Sequence, residues 1–116
     1  VGPSSIVMAV MASGLNGQSF AFNGYLPVKP PERVQAIRRF ERRAHAEGQS
    51  QLFIEAPYRN VKLMEQLLQT LAPETRLTVA MDITAPGEFI RTLRVREWRA
   101  AELPAMNKRP AIFIIG

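Results

Sequence analysis

The sequence predicts an α/β fold, a single lobe with a mixed five-stranded sheet flanked by helices. Three observations carry this expectation. Short apolar or alternating runs at 18–27, 51–56, 76–84, 88–95 and 109–116 read as strands. Helical stretches with apolar faces separate most of them. One pair, 76–84 and 88–95, is joined only by the turn APGE. A hairpin among strands joined through helices makes the sheet mixed.

The elements follow in order. GPSS at 2–5 reads as a turn entering a helix over 5–13, with Ser4 or Ser5 able to accept a hydrogen bond from a first-turn N–H. Ile6, Val7, Met8, Val10 and Met11 make that helix apolar nearly all round, which predicts burial or an interface, and Gly14 stops it. In QSFAFNGYLP, Phe20 and Phe22 alternate with Ser19 and Ala21, as in a strand with one heavily buried face, until Asn23-Gly24 breaks the pattern. VKPPE is a loop, and Pro31 suits the first turn of a helix. ERVQAIRRFERRAHAEG is amphipathic: Val34, Ile37, Phe40 and Ala44 line one side, Arg38, Arg39, Arg42 and Arg43 the other, and Gly48 ends it.

QLFIEA lacks strict alternation, which predicts a strand buried on both faces. A helix from about Asn60 to Leu71 carries Val61, Met64, Leu67, Leu68 and Leu71 on one stripe, and Pro73 closes it. RLTVAMDIT and EFIRTLRV form the hairpin strands. Val95 to Ala101 is a helical turn whose Trp98 caps the core, Leu103 to Arg109 is a loop, and RPAIFIIG is the last buried strand. No repeat, low-complexity tract or linker divides the chain.

Composition narrows the chemistry. At 116 residues the chain is one domain, large enough for folding to bury roughly two-thirds of its unfolded surface. It has no cysteine, which excludes disulfides, thiolate zinc sites and thiol catalysis and fits a reducing, cytoplasmic location. Its one histidine, His45, lies in the arginine-rich helix, so neither a histidine metal site nor a Ser-His triad is expected. No apolar run approaches the ~18 residues of a membrane span. The net charge of +5 favours polyanionic partners, whether nucleic acid or substrates bearing phosphate or carboxylate. Arg33, Arg38, Arg39, Arg42 and Arg43 concentrate that charge, and a solvated helix face explains the same residues without a ligand.

Five short motifs occur in order along the whole chain: GPSS at 2–5, FAFNGYLPVK at 20–29 followed by Arg33, FIEAPYR at 53–59, VAMDITAPGE at 79–88 and PAIFIIG at 110–116. Together they resemble the C-terminal lobe of the tetrapyrrole methylase family, and most closely its branch that methylates a ribose 2′-hydroxyl of small-subunit ribosomal RNA. The resemblance implies S-adenosylmethionine as cofactor, bound in a cleft between two α/β lobes, with residues 1–116 as the C-terminal lobe and an N-terminal lobe outside this sequence. GPSS would then be the joint between lobes. It also implies a homodimer.

For the cofactor, the resemblance points to Ser4 and Ser5, a small-residue pair whose plainer role is a helix cap. It also points to Ile54, through its backbone, to Ile83, where tetrapyrrole-type members carry glycine, and to Pro110-Ala111, which would pack under the adenine or simply start a core strand. For the substrate, Lys29, Arg33, Glu55 and Arg59 lie on or beside loops at strand ends, where α/β folds place their sites. Glu55 and Arg59 can equally pair with each other four residues apart. Tyr25 and Tyr58 can stack a base or pack.

Three functions compete. An RNA 2′-O-methyltransferase needs mainly alignment of the nucleophile with the sulfonium, and so no cysteine or histidine. A methyltransferase acting on a tetrapyrrole carbon would use the basic residues for acetate and propionate groups. A non-enzymatic basic RNA-binding or dimerisation module would show an aromatic RNP pattern or GXXG loop, which is absent.

Overall fold

The structure, a computed structural model, describes residues 3–15 and 18–116, the side chains of Pro3 and Ser4 excepted. The elements are α1 (Pro3–Ser13), β1 (Phe20–Tyr25), α2 (Pro30–Glu47), β2 (Ser50–Ile54), a 3-10 turn (Pro57–Arg59), α3 (Asn60–Thr70), β3 (Arg76–Met81), β4 (Phe89–Arg94), α4 (Val95–Ala100) and β5 (Ala111–Ile115). The five strands form one sheet in the order β1-β2-β5-β3-β4. β1 and β2 are parallel, and the other neighbouring pairs are antiparallel. The mixed sheet is thus the expected one, and the last strand in sequence occupies its centre.

Local chemistry sets the helix ends. Pro30 and Pro31 open α2, where no intrahelical N–H is required of them. Gly48 closes it at φ 60, with its N–H bonded to the Ala44 carbonyl. At α4 the Glu97 carboxylate accepts the Arg94 N–H at 2.9 Å, one half of a capping box.

α2, α3 and α4 cover one face of the sheet. Phe40 stacks on Phe53 and Phe53 on Phe113, with centroids 6.4 and 5.9 Å apart. Around them pack Ile37, Leu63, Met64, Leu67, Leu77 and Trp98. Burying each such large side chain stabilises the fold by roughly 1.5–3 kcal/mol. The Trp98 indole N–H donates to the Leu77 carbonyl at 2.8 Å, so its polar edge is satisfied inside the core.

α1 covers the other face. Its Ala9 and Val10 pack on Leu52, Ala80, Ile112 and Ile114. The paired residues Phe22, Leu52, Ile114, Thr78 and Thr92 form one row across that face. The Thr92 hydroxyl donates to the Ser13 carbonyl at 2.7 Å, which leaves Thr78 to donate to Thr92. α1 is therefore held toward the β4 side of the row, and Phe22 at its far end is uncovered.

This placement corrects several expectations. Phe20 and Phe22 do not face a buried side: β1 is an edge strand and both rings are exposed. β1 does not stop at Asn23-Gly24 but bulges there and continues to Tyr25. Val61 is exposed while Leu63 enters the core, because α3 is turned slightly from the stripe its sequence marks. The third strand ends at Met81, since Asp82 turns at φ 51. α1 starts at Pro3, so Ser5 lies within its first turn instead of capping it. No described helix is long and apolar enough to cross a membrane.

Candidate functional site

Strand direction gathers the loops at one edge. β1, β2 and β3 run the same way and end there, and β4 and β5 begin there. Ligands of α/β sheets bind in the crevice beyond such strand ends. Two adjoining cavities occupy this edge and share Pro110. The first, about 210 Å³, lies between the first turn of α1 and the sheet, lined by Ser5, Ala80, Asp82, Ile83, Pro110 and Ile112 together with Ala85. The second, about 260 Å³, is lined by Tyr25, Ile54, Glu55, Pro57, Pro110 and Ala111.

The loop that supplies Asp82, Ile83 and Ala85 to the first cavity is strained and densely hydrogen-bonded. Asp82 and Thr84 stand at φ 51 and 67, in the left-handed region. For a β-branched residue such as Thr84 this is a true outlier, costing on the order of 1–3 kcal/mol. Arg109 holds the loop in place. Its guanidinium donates to the Asp82 carboxylate at 2.7 Å, to the Gly87 carbonyl at 2.6 Å and to the Ala105 carbonyl at 2.5 Å. The Asp82 N–H bonds the Pro110 carbonyl at 3.1 Å, and the Thr84 N–H bonds the Glu88 carboxylate at 2.8 Å. Behind Pro110, the buried Asn60 amide donates to the Arg109 carbonyl at 2.5 Å, tying α3 to the same segment.

The second cavity is built on charge. The Glu55 carboxylate is buried and pairs with Arg33, also buried. Its other oxygen accepts the Ala56 N–H at 2.7 Å and the Arg59 Nε at 3.1 Å. Arg33 also donates to the Pro27 carbonyl at 2.7 Å and to Gln66 at 3.1 Å. Burial raises the pKa of the Glu55 carboxyl, but the Ala56 N–H and the two guanidiniums outweigh it, and the group titrates below the ordinary glutamate value. Both carboxylate oxygens of Glu55 are thereby engaged from within the fold. Arg59 extends outward from it, over the Tyr58 ring at 4.7 Å and bonded to the Tyr58 hydroxyl at 2.5 Å.

The structure brings most of the sequence candidates together. Ser5 and Ile83 line the first cavity, Ile54, Ala111 and Glu55 the second, and Pro110 both. The Ser4 side chain lies outside the described residues. Lys29 is exposed at the N-cap of α2. Arg33 is not a loop cation open to substrate: it sits in the first turn of α2, buried, with its donors occupied from within the fold. Of the tyrosines, Tyr25 borders the second cavity, and both it and Tyr58 are 64% exposed. Asp82 and Arg109 were not singled out by sequence. An aspartate at the end of an apolar strand was the available signal, and its partner lies in what reads only as a loop.

The sequence matches no protein-family profile. It is 28% identical over 96 residues to "Ribosomal RNA small subunit methyltransferase I" of Vibrio cholerae, covering 83% of this chain and 32% of that protein. The Escherichia coli protein of that name is 26% identical over 114 residues, 98% of this chain and 38% of that protein. The Neisseria meningitidis one is 31% identical over 101 residues, 87% of this chain and 33% of that protein. The chain thus spans about a third of the length of the curated relatives it matches. Among solved structures, the methyltransferase CobJ shares the fold, with a TM-score of 0.57 at 17% identity over 96% of this chain and 46% of that chain. Over most of its own length the chain is thus similar to one part of the ribosomal RNA small subunit methyltransferase I proteins, and it shares the fold of CobJ.

Proposed function

We propose that this chain is the C-terminal lobe of an S-adenosylmethionine-dependent methyltransferase that modifies a ribose 2′-hydroxyl of small-subunit ribosomal RNA. The observation that carries the reading is the pair of cavities meeting at Pro110, one mainly apolar and one lined by Glu55, whose carboxylate pairs with Arg33 and Arg59. The relatives' names support the RNA class. In this reading a second, N-terminal lobe closes the cleft, and the enzyme works in the cytoplasm.

The residues present suit the cofactor. Ala80, Ile83, Pro110 and Ile112 offer apolar walls for a flat ring, and Ser5 and Asp82 supply polar atoms at the rim. Ile54 and Ala111 continue the wall into the second cavity. When bound, S-adenosylmethionine would supply a methyl group activated by its positively charged sulfur. The strained 82–88 loop, pinned by Arg109, keeps the first cavity's shape before binding, so little ordering remains to oppose it. Lys29 and Arg59 hold backbone phosphates and bring the ribose into line, and Glu55 orients Arg59. Arg33 acts only through Glu55, as a positioning residue.

The apolar residues exposed on α1 and β1, namely Val7, Met8, Met11, Phe20 and Phe22, form the face by which two copies associate in this reading.

The test uses the intact protein. Replacing Lys29 and Arg59 by Ala should abolish most methyl transfer to small-subunit ribosomal RNA while calorimetric affinity for S-adenosylmethionine stays within about twofold. Transfer to RNA unchanged in that variant would overturn the assignment of these residues. Methylation of a tetrapyrrole, with none of RNA, would replace the substrate class.

A further inference from the structure

The face of α2 that turns away from the sheet carries a cationic stripe. Arg38, Arg39 and Arg42 are exposed and Arg43 is half-buried. Among the described residues, the carboxylates that form ion pairs do so with Arg33, Arg59, Arg94, Arg96 and Arg109, and with none of these four. Glu41 lies between them in sequence and would neutralise part of the stripe. Instead its carboxylate accepts the Ala72 N–H at 2.8 Å and the Thr75 hydroxyl at 2.6 Å. Arg38 with Arg42, and Arg39 with Arg43, are like-charge pairs at i,i+4, a spacing that weakens a helix. The fold tolerates this repulsion without relieving it.

Two of the four are held in place. The Arg39 and Arg43 guanidiniums lie over the Phe40 ring at 5.1 and 6.0 Å from its centroid. Phe40 is itself stacked on Phe53 in the core. A guanidinium resting on a ring still presents its N–H edge outward, in the planar fork that grips a phosphate by two bonds. The stripe leads away from the site. α2 starts beside Lys29, and a rise of 1.5 Å per residue puts Arg38 about 12 Å and Arg43 about 20 Å along its axis. It is too far off to touch a reacting ribose and well placed for the flanking nucleotides of a large RNA.

We infer that this stripe is a docking surface for the phosphate backbone of structured RNA, separate from the transfer site. The inference rests on the RNA reading of the function. A membrane surface suits the stripe less well, because α2 has no free apolar face to insert: Ala36, Ile37, Phe40 and Ala44 are buried against the sheet.

Binding of the intact protein to transcribed small-subunit ribosomal RNA, measured across a salt series, tests it. In R38Q/R39Q/R42Q/R43Q the slope of log affinity against log salt should become shallower by about 0.7–0.9 for each phosphate that is no longer neutralised. R38Q/R42Q, which leaves the Phe40 stacking intact, should show about half that change. R38K/R39K/R42K/R43K should keep most of the slope. Affinity for S-adenosylmethionine should be unchanged in all three. An unaltered RNA slope in both glutamine variants would overturn the docking surface and leave the methyltransferase reading standing. Failure of the unsubstituted protein to bind RNA would overturn both. Loss of binding to phosphatidylserine vesicles, with the RNA slope intact, would overturn it in favour of a membrane surface.

Discussion

Arg33 and Glu55 form an ion pair in which neither side chain is more than 2% exposed, and it locks the first turn of α2 to the end of β2. Removing one partner of such a pair strands the other charge in the interior. Glu55→Gln should therefore lower the unfolding free energy by about 3–5 kcal/mol in urea titrations. The double variant Arg33→Met, Glu55→Leu should lose less than either single variant, because no uncompensated charge remains. A double variant as damaged as the sum of the singles would contradict this.

The same carboxylate makes stability depend on acid. Its pKa in the fold is lowered from the ordinary value, by the Ala56 N–H and the two arginines acting against burial. The unfolded chain then binds the extra proton first as pH falls. The contribution is complete above the ordinary glutamate value of about 4.3 and is lost as pH drops through the lowered folded value. Urea midpoints measured between about pH 6 and pH 3 should fall on the acid side of that window. The fall should be shallower in Glu55→Gln.

Thr84 at φ 67 should respond to glycine in the opposite direction from most substitutions. Glycine adopts that conformation freely, and the relief exceeds its extra chain entropy, so Thr84→Gly should stabilise the fold by about 1 kcal/mol. In the intact protein the same change should weaken S-adenosylmethionine binding several-fold, because the cavity wall is no longer pre-set. Thermal unfolding and calorimetric titration read the two effects separately.

Arg109 joins two segments that share no secondary structure, residues 82–88 and 105–110. Arg109→Leu should cost about 1.5–3 kcal/mol, the range for hydrogen bonds to charged groups, and speed amide exchange across 82–88 without touching β2. Uniform acceleration along the chain would mean that Arg109 supports the whole fold and not the cavity wall.

Met11, at 77% exposure, and Phe22 are exposed apolar side chains of α1 and β1, the two elements proposed above to carry the self-association face. Met11→Glu with Phe22→Glu should shift a self-associating protein to monomer in light scattering at equal concentration, with little change in stability, since neither side chain is in the core. An unchanged mass would remove this face as the interface.

Much of the fold was legible because each element carries its own period. The arginines of α2 alternate with Ile37, Phe40 and Ala44 at helical spacing, and β2 and β5 read as strands apolar on both faces. The ends were legible too, through Pro31 and Gly48. The burial of Phe20 and Phe22 was misread because alternation marks a face without saying what covers it. Ile54, Ile83, Pro110 and Ala111 could be singled out through the resemblance, and Glu55 as a residue beside a strand end, but not their division between two cavities.

By itself the sequence determined where most helices and strands lie, the lack of any cysteine, and the resemblance carried by five short motifs. These depend on residue type and short-range spacing. Only the tertiary structure decided that β5 enters between β2 and β3, that β1 is an edge, and that Arg33 is an interior cation. A charged side chain after two prolines reads as solvated until its partner is known, and Glu55 reaches it only when β1, α2 and β2 close as a parallel unit. Burial of charge depends on contacts between residues distant in the chain, and local pattern carries no information about those.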